Sequence, residues 1–164
     1  MHISDVLHSK GSAVVTVDPS ASITALLAQL AEHNVGAAVV LEDDRVVGIV
    51  SERDIVRQLH TRGHAMLELP VSDIMTRAVR TCAPEDTLDS VSVTMTEQRA
   101  RHMPVVVKGR LTGIVSIGDV VTVAPSTTVT ELLAELAEHN VGATVVLDDG
   151  DIVGIVSERD IVRQ

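Results

Sequence analysis

The sequence predicts a mixed α/β (α+β) repeat protein, built from tandem small units that each pack a three-stranded sheet with two helices. Three observations predict it: the chain repeats itself, each repeat runs through the same order of strand-like and helix-like segments, and the composition is globular, with 45% apolar and 22% charged residues in 164. Val14–Gln58 and Val120–Gln164 align without a gap and share 34 of 45 positions, far beyond chance. A divergent copy lies between them and follows the first from Pro84 onward, with Pro84 under Pro19, Gly113 under Gly48 and Asp119 under Asp54. The expected repeats are residues 1–65, 66–121 and, as a partial near-duplicate of the first, 122–164.

In the first copy a β-rich run, Ala13–Val17, precedes a Pro19-Ser20 stretch that starts a helix, because Pro suits the first turn and Ser the cap. Ile23, Leu26, Leu27 and Leu30 recur at i, i+3, i+4 and i+7, which is one helical face. Asn34 and Gly36 suit the end of that helix. Ala37–Leu41 and Val46–Val50 are strands, joined as a hairpin by the acidic turn Glu42-Asp43-Asp44-Arg45. Ser51 caps a second helix, Glu52–Leu59. Residues 59–70 form a connection in which Gly63 ends a helix and Pro70 leads into a short helical segment, Val71–Thr76. The β-rich runs of the later copies are Val79–Cys82 and Val120–Val123. No linker separates copies two and three, so Val120-Val121 has to finish a helix of one and open a strand of the other.

Composition narrows the function. A net charge of −10 and a pI of about 5.0 oppose a phosphate backbone, so nucleic acid is not an expected partner. The absence of Phe, Trp and Tyr removes base-stacking platforms and aromatic membrane belts. No apolar run approaches the ~18 residues that span a bilayer, and Met1–Lys10 has no apolar signal core. One cysteine, Cys82, forms no internal disulfide and is expected as a buried structural thiol. These features fit a cytoplasmic protein with no membrane partner.

All three copies contain Gly-Ile-Val-Ser-x-x-Asp: Gly48–Asp54, Gly113–Asp119 and Gly154–Asp160. A strand running into a helix puts the Ser at the cap and the Asp three residues later, where both satisfy free backbone N–H groups. Capping alone explains an isolated S-x-x-D. Three copies within a repeated strand–helix–strand–strand–helix unit resemble something more specific, the CBS domain family, whose small αβ modules work in pairs. The resemblance extends to Val71-Ser72-Asp73-Ile74-Met75-Thr76, to Thr81-Cys82-Ala83-Pro84, and to Arg101-His102-Met103-Pro104-Val105-Val106, which is similar to the family's H-L-P-V-V strand. Copies one and three have Val35-Gly36-Ala37 and its counterpart there, without the Pro.

The resemblance implies a tandem CBS pair that binds an adenosine compound (AMP, ADP or ATP, in some members NAD or S-adenosylmethionine) between repeats, as a regulatory ligand and not a required cofactor. It places the ribose diol on Asp54 and Asp119, with Ser51 and Ser116 beside sugar or phosphate. An ionised carboxylate only accepts hydrogen bonds, so it suits a diol that donates two, and a helix N-terminus suits phosphate. Ser157 and Asp160 match as well but need a partner repeat. The resemblance assigns the adenine walls to Val35, Gly36 and Ala37 and to Ala100, Arg101, His102 and Pro104, with Ile49 and Ile114 beside them. Main-chain contacts fall to Ser12, Val14, Met75, Thr76, Arg77 and Val79. Arg53 is placed to meet a phosphate; copy two has Gly118 there, so the two clefts should differ.

No nucleophile–base set, P-loop or GxGxxG is present, so no catalytic residue and no metal ligand is expected. His60 and His64 are spaced i, i+4, but Gly63 breaks their helix. A nucleotide hydrolase working through Asp54 or Asp119 and a ligand-free dimerisation module are the competing readings. Copy three, being too small to bury a core alone, is expected to pair with another chain, giving a homodimer that acts on a regulated protein.

Overall fold

The structure is a computed structural model that describes residues 1–139 and 141–162, without the side chain of residue 159. Part of the third expected repeat, residues 140, 163 and 164, therefore lies outside the described residues. The chain divides into two compact units, which cut across the sequence repeats. One gathers residues 12–81 and 104–113; the other gathers 1–11, 82–103 and 114–164.

The first unit holds copy one. Strand β1 (Thr16–Val17) pairs in parallel with β2 (Ala37–Glu42), which pairs antiparallel with β3 (Arg45–Ser51). Helix α1 (Ile3–Lys10) precedes them in the chain, and α2 (Ile23–His33) makes the crossover from β1 to β2. Ser22, not the Pro19-Ser20 turn, caps α2, accepting from the Ala25 N–H at 3.1 Å. Ile23, Leu26 and Leu30 are buried as the spacing requires, while Leu27 lies at the rim of the stripe, 37% exposed. Asn34 ends the helix in the left-handed region, φ 52°, where Asn is tolerated. β2 is central in its sheet and its first four residues are all buried. The hairpin turn is Asp43-Asp44, with φ of 50° and 60°, the two-residue geometry that matches strand twist.

Ser51 starts α3 (Glu52–Arg62), which Gly63 terminates. Two short 3₁₀ turns follow, His64–Glu68 and Val71–Asp73. They and the two residues that follow supply Met66, Val71, Ile74 and Met75 to the core of copy one, where these pack with Ile23, Leu26, Leu30 and Val50. Thr76 then pairs with the edge of β3: its N–H donates to the Ile49 carbonyl at 2.8 Å, and the Ile49 N–H donates to the Thr76 carbonyl at 3.0 Å. Met75 lies against Gly48, where an added Cβ would come within 2.4 Å of its sulfur. The strand expected over Val79–Cys82 shrinks to a single bridge residue, Cys82, so among the described residues the middle sheet has two strands and not three. Thr76, just ahead of that run, gives its backbone pairing to copy one.

The second unit holds α4 (Leu88–Gln98), capped by Thr87, and the base of the hairpin β4 (His102–Val107) and β5 (Arg110–Ser116). α1 is tied here: the Ile3 and Ser4 N–H groups donate to the Asp86 and Pro84 carbonyls, both at 2.9 Å. The Val120-Val121 conflict is settled by shortening the helix. α5 (Ile117–Val120) makes a single turn, Val121 caps it in extended geometry, and β6 (Thr122–Val123) begins at once. Copy three then repeats the order of copy one with α6 (Val129–His139), β7 (Ala143–Asp148), β8 (Asp151–Ser157) and α7 (Glu158–Val162). β6–β7–β8 has the strand order and register of β1–β2–β3, including the shift after Val146 that copy one shows after Val40.

Copy three does not wait for another chain to supply all its contacts. Its β7 lies against α5 of copy two within the same unit. The buried Thr144 hydroxyl donates to the Val121 carbonyl. Among the described residues no helix is long and apolar enough to cross a membrane.

Candidate functional site

The three Ser–Asp pairs adopt one geometry. In copy one, Asp54 Oδ2 accepts from the Ser51 N–H at 2.8 Å and the Ser51 hydroxyl at 2.7 Å. In copy two, Asp119 Oδ2 accepts from the Ser116 N–H at 2.6 Å and its hydroxyl at 2.9 Å. In copy three, Asp160 Oδ2 accepts from the Ser157 N–H at 2.9 Å and its hydroxyl at 2.6 Å. The capping role read from the spacing is thus present in every copy.

The next amide is also engaged each time. The N–H groups of Glu52, Ile117 and Glu158 donate to the carbonyls of Gly36, Arg101 and Gly142 at 3.0, 2.9 and 3.0 Å. These first helix amides tie each helix start to the residue just ahead of the repeat's own strand.

In the first unit the sheet brings several expected site residues together. Ala37 sits opposite Ser51 across β2 and β3, and Gly36 lies beside the start of α3. Val35 is at the surface, Ala37 is buried, and Arg53 is exposed on the first turn of α3. Ile49 and Thr76 are joined by their backbone pair. Met75 and Pro104 are buried in packing. Arg77 is exposed and turns back to donate to the Ser72 carbonyl at 3.0 Å. Ser12 is exposed, and Val14 and Val79 are half-buried.

In the second unit a cavity of about 230 Å³ is bounded by Arg101, His102 and residues 116–118 of copy two and by residues 141–143 of copy three. Three residues of the expected copy-two site, Arg101, His102 and Ser116, therefore line one space. Ala100 and Ile114 are half-buried nearby in the chain.

The comparisons decide the family. CBS domain is the description that matches, over residues 3–61, 71–121 and 117–164. The chain belongs to the CBS domain family. The second and third matches overlap at residues 117–121, which include the one-turn helix α5. A CBS-domain containing protein from Agrobacterium tumefaciens is 44% identical, with a TM-score of 0.71 over 73% of this chain and 96% of that one. A CBS domain protein from Pyrobaculum aerophilum complexed with AMP is 28% identical, with a TM-score of 0.65 over 84% and 99%. A CBS domain pair in complex with 5-methylthioadenosine and S-adenosyl-L-methionine is 25% identical, with a TM-score of 0.64 over 71% and 90%. The mitochondrial CBS domain-containing protein CBSX3 of Arabidopsis thaliana is 36% identical over 73% of this chain, and the chain spans 62% of that protein's length.

Two contacts in this CBS protein had no signal in the sequence. Lys10 Nζ lies 2.5 Å from Asp119 Oδ2, across 109 positions. Gly118 faces the Ala143 carbonyl so closely that a Cβ would stand 2.9 Å from that oxygen. Copy one carries Arg53 at the position of Gly118, so copy two needs its glycine for copy three to seat.

Cys82 is buried; desolvation, with the Asp86 charge adding to it, pushes its thiol up to about 11, which makes it a poor nucleophile. His60 falls in the last turn of α3 and His64 beyond Gly63, on a different element. His33 and His139 are the last residues of α2 and α6, where an imidazole suits the terminal carbonyls. Among the described residues no three His, Cys, Asp or Glu side chains cluster to hold a metal.

Proposed function

We propose that this CBS protein is a non-catalytic regulatory module that binds an adenosine nucleotide, AMP foremost, and passes its occupancy to a partner protein. The observation that carries this reading is the likeness over 84% of the chain to a CBS domain protein complexed with AMP. The motif chemistry agrees with it. An ionised carboxylate offers about four acceptor sites. The cap at Asp54 uses Oδ2 for its two bonds, so capping and diol binding draw on different lone pairs. In this reading Asp54 and Ser51 hold the sugar in copy one, with Asp119 and Ser116 in the same roles in copy two. The phosphate is met first by the Arg53 side chain, which is exposed on the first turn of α3, while the Glu52 amide already bonds to Gly36.

A second reading, a ligand bearing a methylthio- or sulfonium-linked adenosine, is favoured by the neighbour that holds 5-methylthioadenosine and S-adenosyl-L-methionine. Dye-detected melting with AMP, ADP, ATP, NAD and S-adenosylmethionine separates the two. At 100-fold excess over Kd the true ligand adds about 2.7 kcal/mol of stability. A melting point that no adenosine compound moves at millimolar concentration would refute both.

A further inference from the structure

The motif carboxylates are not equivalent. No cation lies on Asp54 among the described residues, whereas Asp119 Oδ2 accepts from Lys10 Nζ at 2.5 Å in addition to its two capping bonds. The lysine is held there by its helix. α1 is docked at its start by the backbone bonds of Ile3 and Ser4, by the pairing of His2 with Thr87, and by the buried side chains of Ile3 and Val6. Eight residues of helix, about 12 Å, carry Lys10 from that anchor to the motif. Gly11, with φ of 90°, ends the helix directly after it. Both side chains are partly shielded, Lys10 33% and Asp119 20% exposed, so the pair is stronger than a fully solvated one and still open to exchange.

We infer that Lys10 is an internal competitor for Asp119, so that copy two accepts a ribose diol only when α1 releases its lysine, while Asp54 of copy one stays open. The inference rests on the nucleotide reading above. It makes Lys10 a specificity-determining residue: the ammonium shares Oδ2 with the capping groups and neutralises the charge that would draw the two hydroxyls to the other oxygen, so that of copies one and two the first has an open motif and the second a guarded one.

Adenosine is the discriminating probe, because it has the diol and no phosphate that a lysine could attract. Calorimetry on the full chain compares wild type, Lys10→Met, Lys10→Arg and Lys10→Met/Asp119→Ala, with Asp54→Ala as a further variant. Lys10→Met should tighten adenosine binding by about fivefold or more at a copy-two site, the lower end of ordinary coupling between sites. Lys10→Arg should behave as wild type, and the gain should vanish in the double variant. Unchanged or weaker adenosine binding in Lys10→Met overturns the inference. If wild type binds adenosine through Asp54 while Lys10→Met gains nothing, only the role of Lys10 falls. If neither adenosine nor AMP binds any of these chains, the nucleotide reading falls with it.

Discussion

Copies one and three share 34 of 45 residues and fold into the same strands, in the same register, with the same bulge. Their surroundings differ. In copy one, Met66, Val71, Ile74 and Met75 close the core, and Thr76 pairs with the edge of β3. Among the described residues no such segment covers copy three. Ile155, the counterpart of Ile49, is 72% exposed, and Val153 is 56% exposed. Val129, the counterpart of the fully buried Ile23, is 56% exposed. The same local sequence thus sets the elements and their hairpin, while burial is decided by the segment that follows the repeat. Copy three compensates at other points. Its turn is Asp149-Gly150, a better pair for two positive φ angles than Asp43-Asp44. Its helix α6 carries a reciprocal cap, Thr128 with Glu131, where copy one has Ala25.

The widest gap between the copies should appear at the start of the crossover helix. Ile23→Ala removes a fully buried side chain and should cost about 2–5 kcal/mol. Val129→Ala, on an exposed surface, should stay within about 0.5 kcal/mol. Urea denaturation of both variants checks this, and equal losses would break the comparison. A smaller gap is expected at the motif glycines. Gly48→Ala meets Met75 at 2.4 Å and should lose about 1–3 kcal/mol. Gly154→Ala, with nothing within 4 Å, should be neutral or gain up to about 1 kcal/mol from a stiffer unfolded chain. Thermal melts of the pair sharpen the claim that Met75 completes copy one.

Much of this was legible in the sequence because it is local. The helical spacing of Ile23, Leu26 and Leu30, the Asn34 terminator, the hairpin and the Ser–Asp caps all follow from interactions within a few residues. What was hidden depends on distant segments. Thr76 draws its backbone pairing into the sheet of copy one, and the strand expected over Val79–Cys82 shrinks to one bridge residue, Cys82. Val120-Val121, claimed by two elements, is divided by cutting α5 to one turn. Leu27 fits the apolar spacing yet lies at the rim, because the spacing fixes a face and not its width. At the site, the Ser and Asp residues were identified by motif, but Lys10 on Asp119 and copy three against Gly118 were not. Those contacts join residues that no periodicity links.

The central claim is that the motif aspartate binds ligand as well as capping a helix. Calorimetric titration of AMP into wild type and Asp54→Ala, with denaturation of both chains, tests it most directly. The account predicts that Asp54→Ala weakens AMP binding at the copy-one motif by about 1.5–3 kcal/mol, the worth of hydrogen bonds to a charged group. Stability should fall by no more than about 1 kcal/mol, the worth of the cap. An unchanged AMP affinity in a destabilised Asp54→Ala chain would contradict it and leave the carboxylate a cap alone.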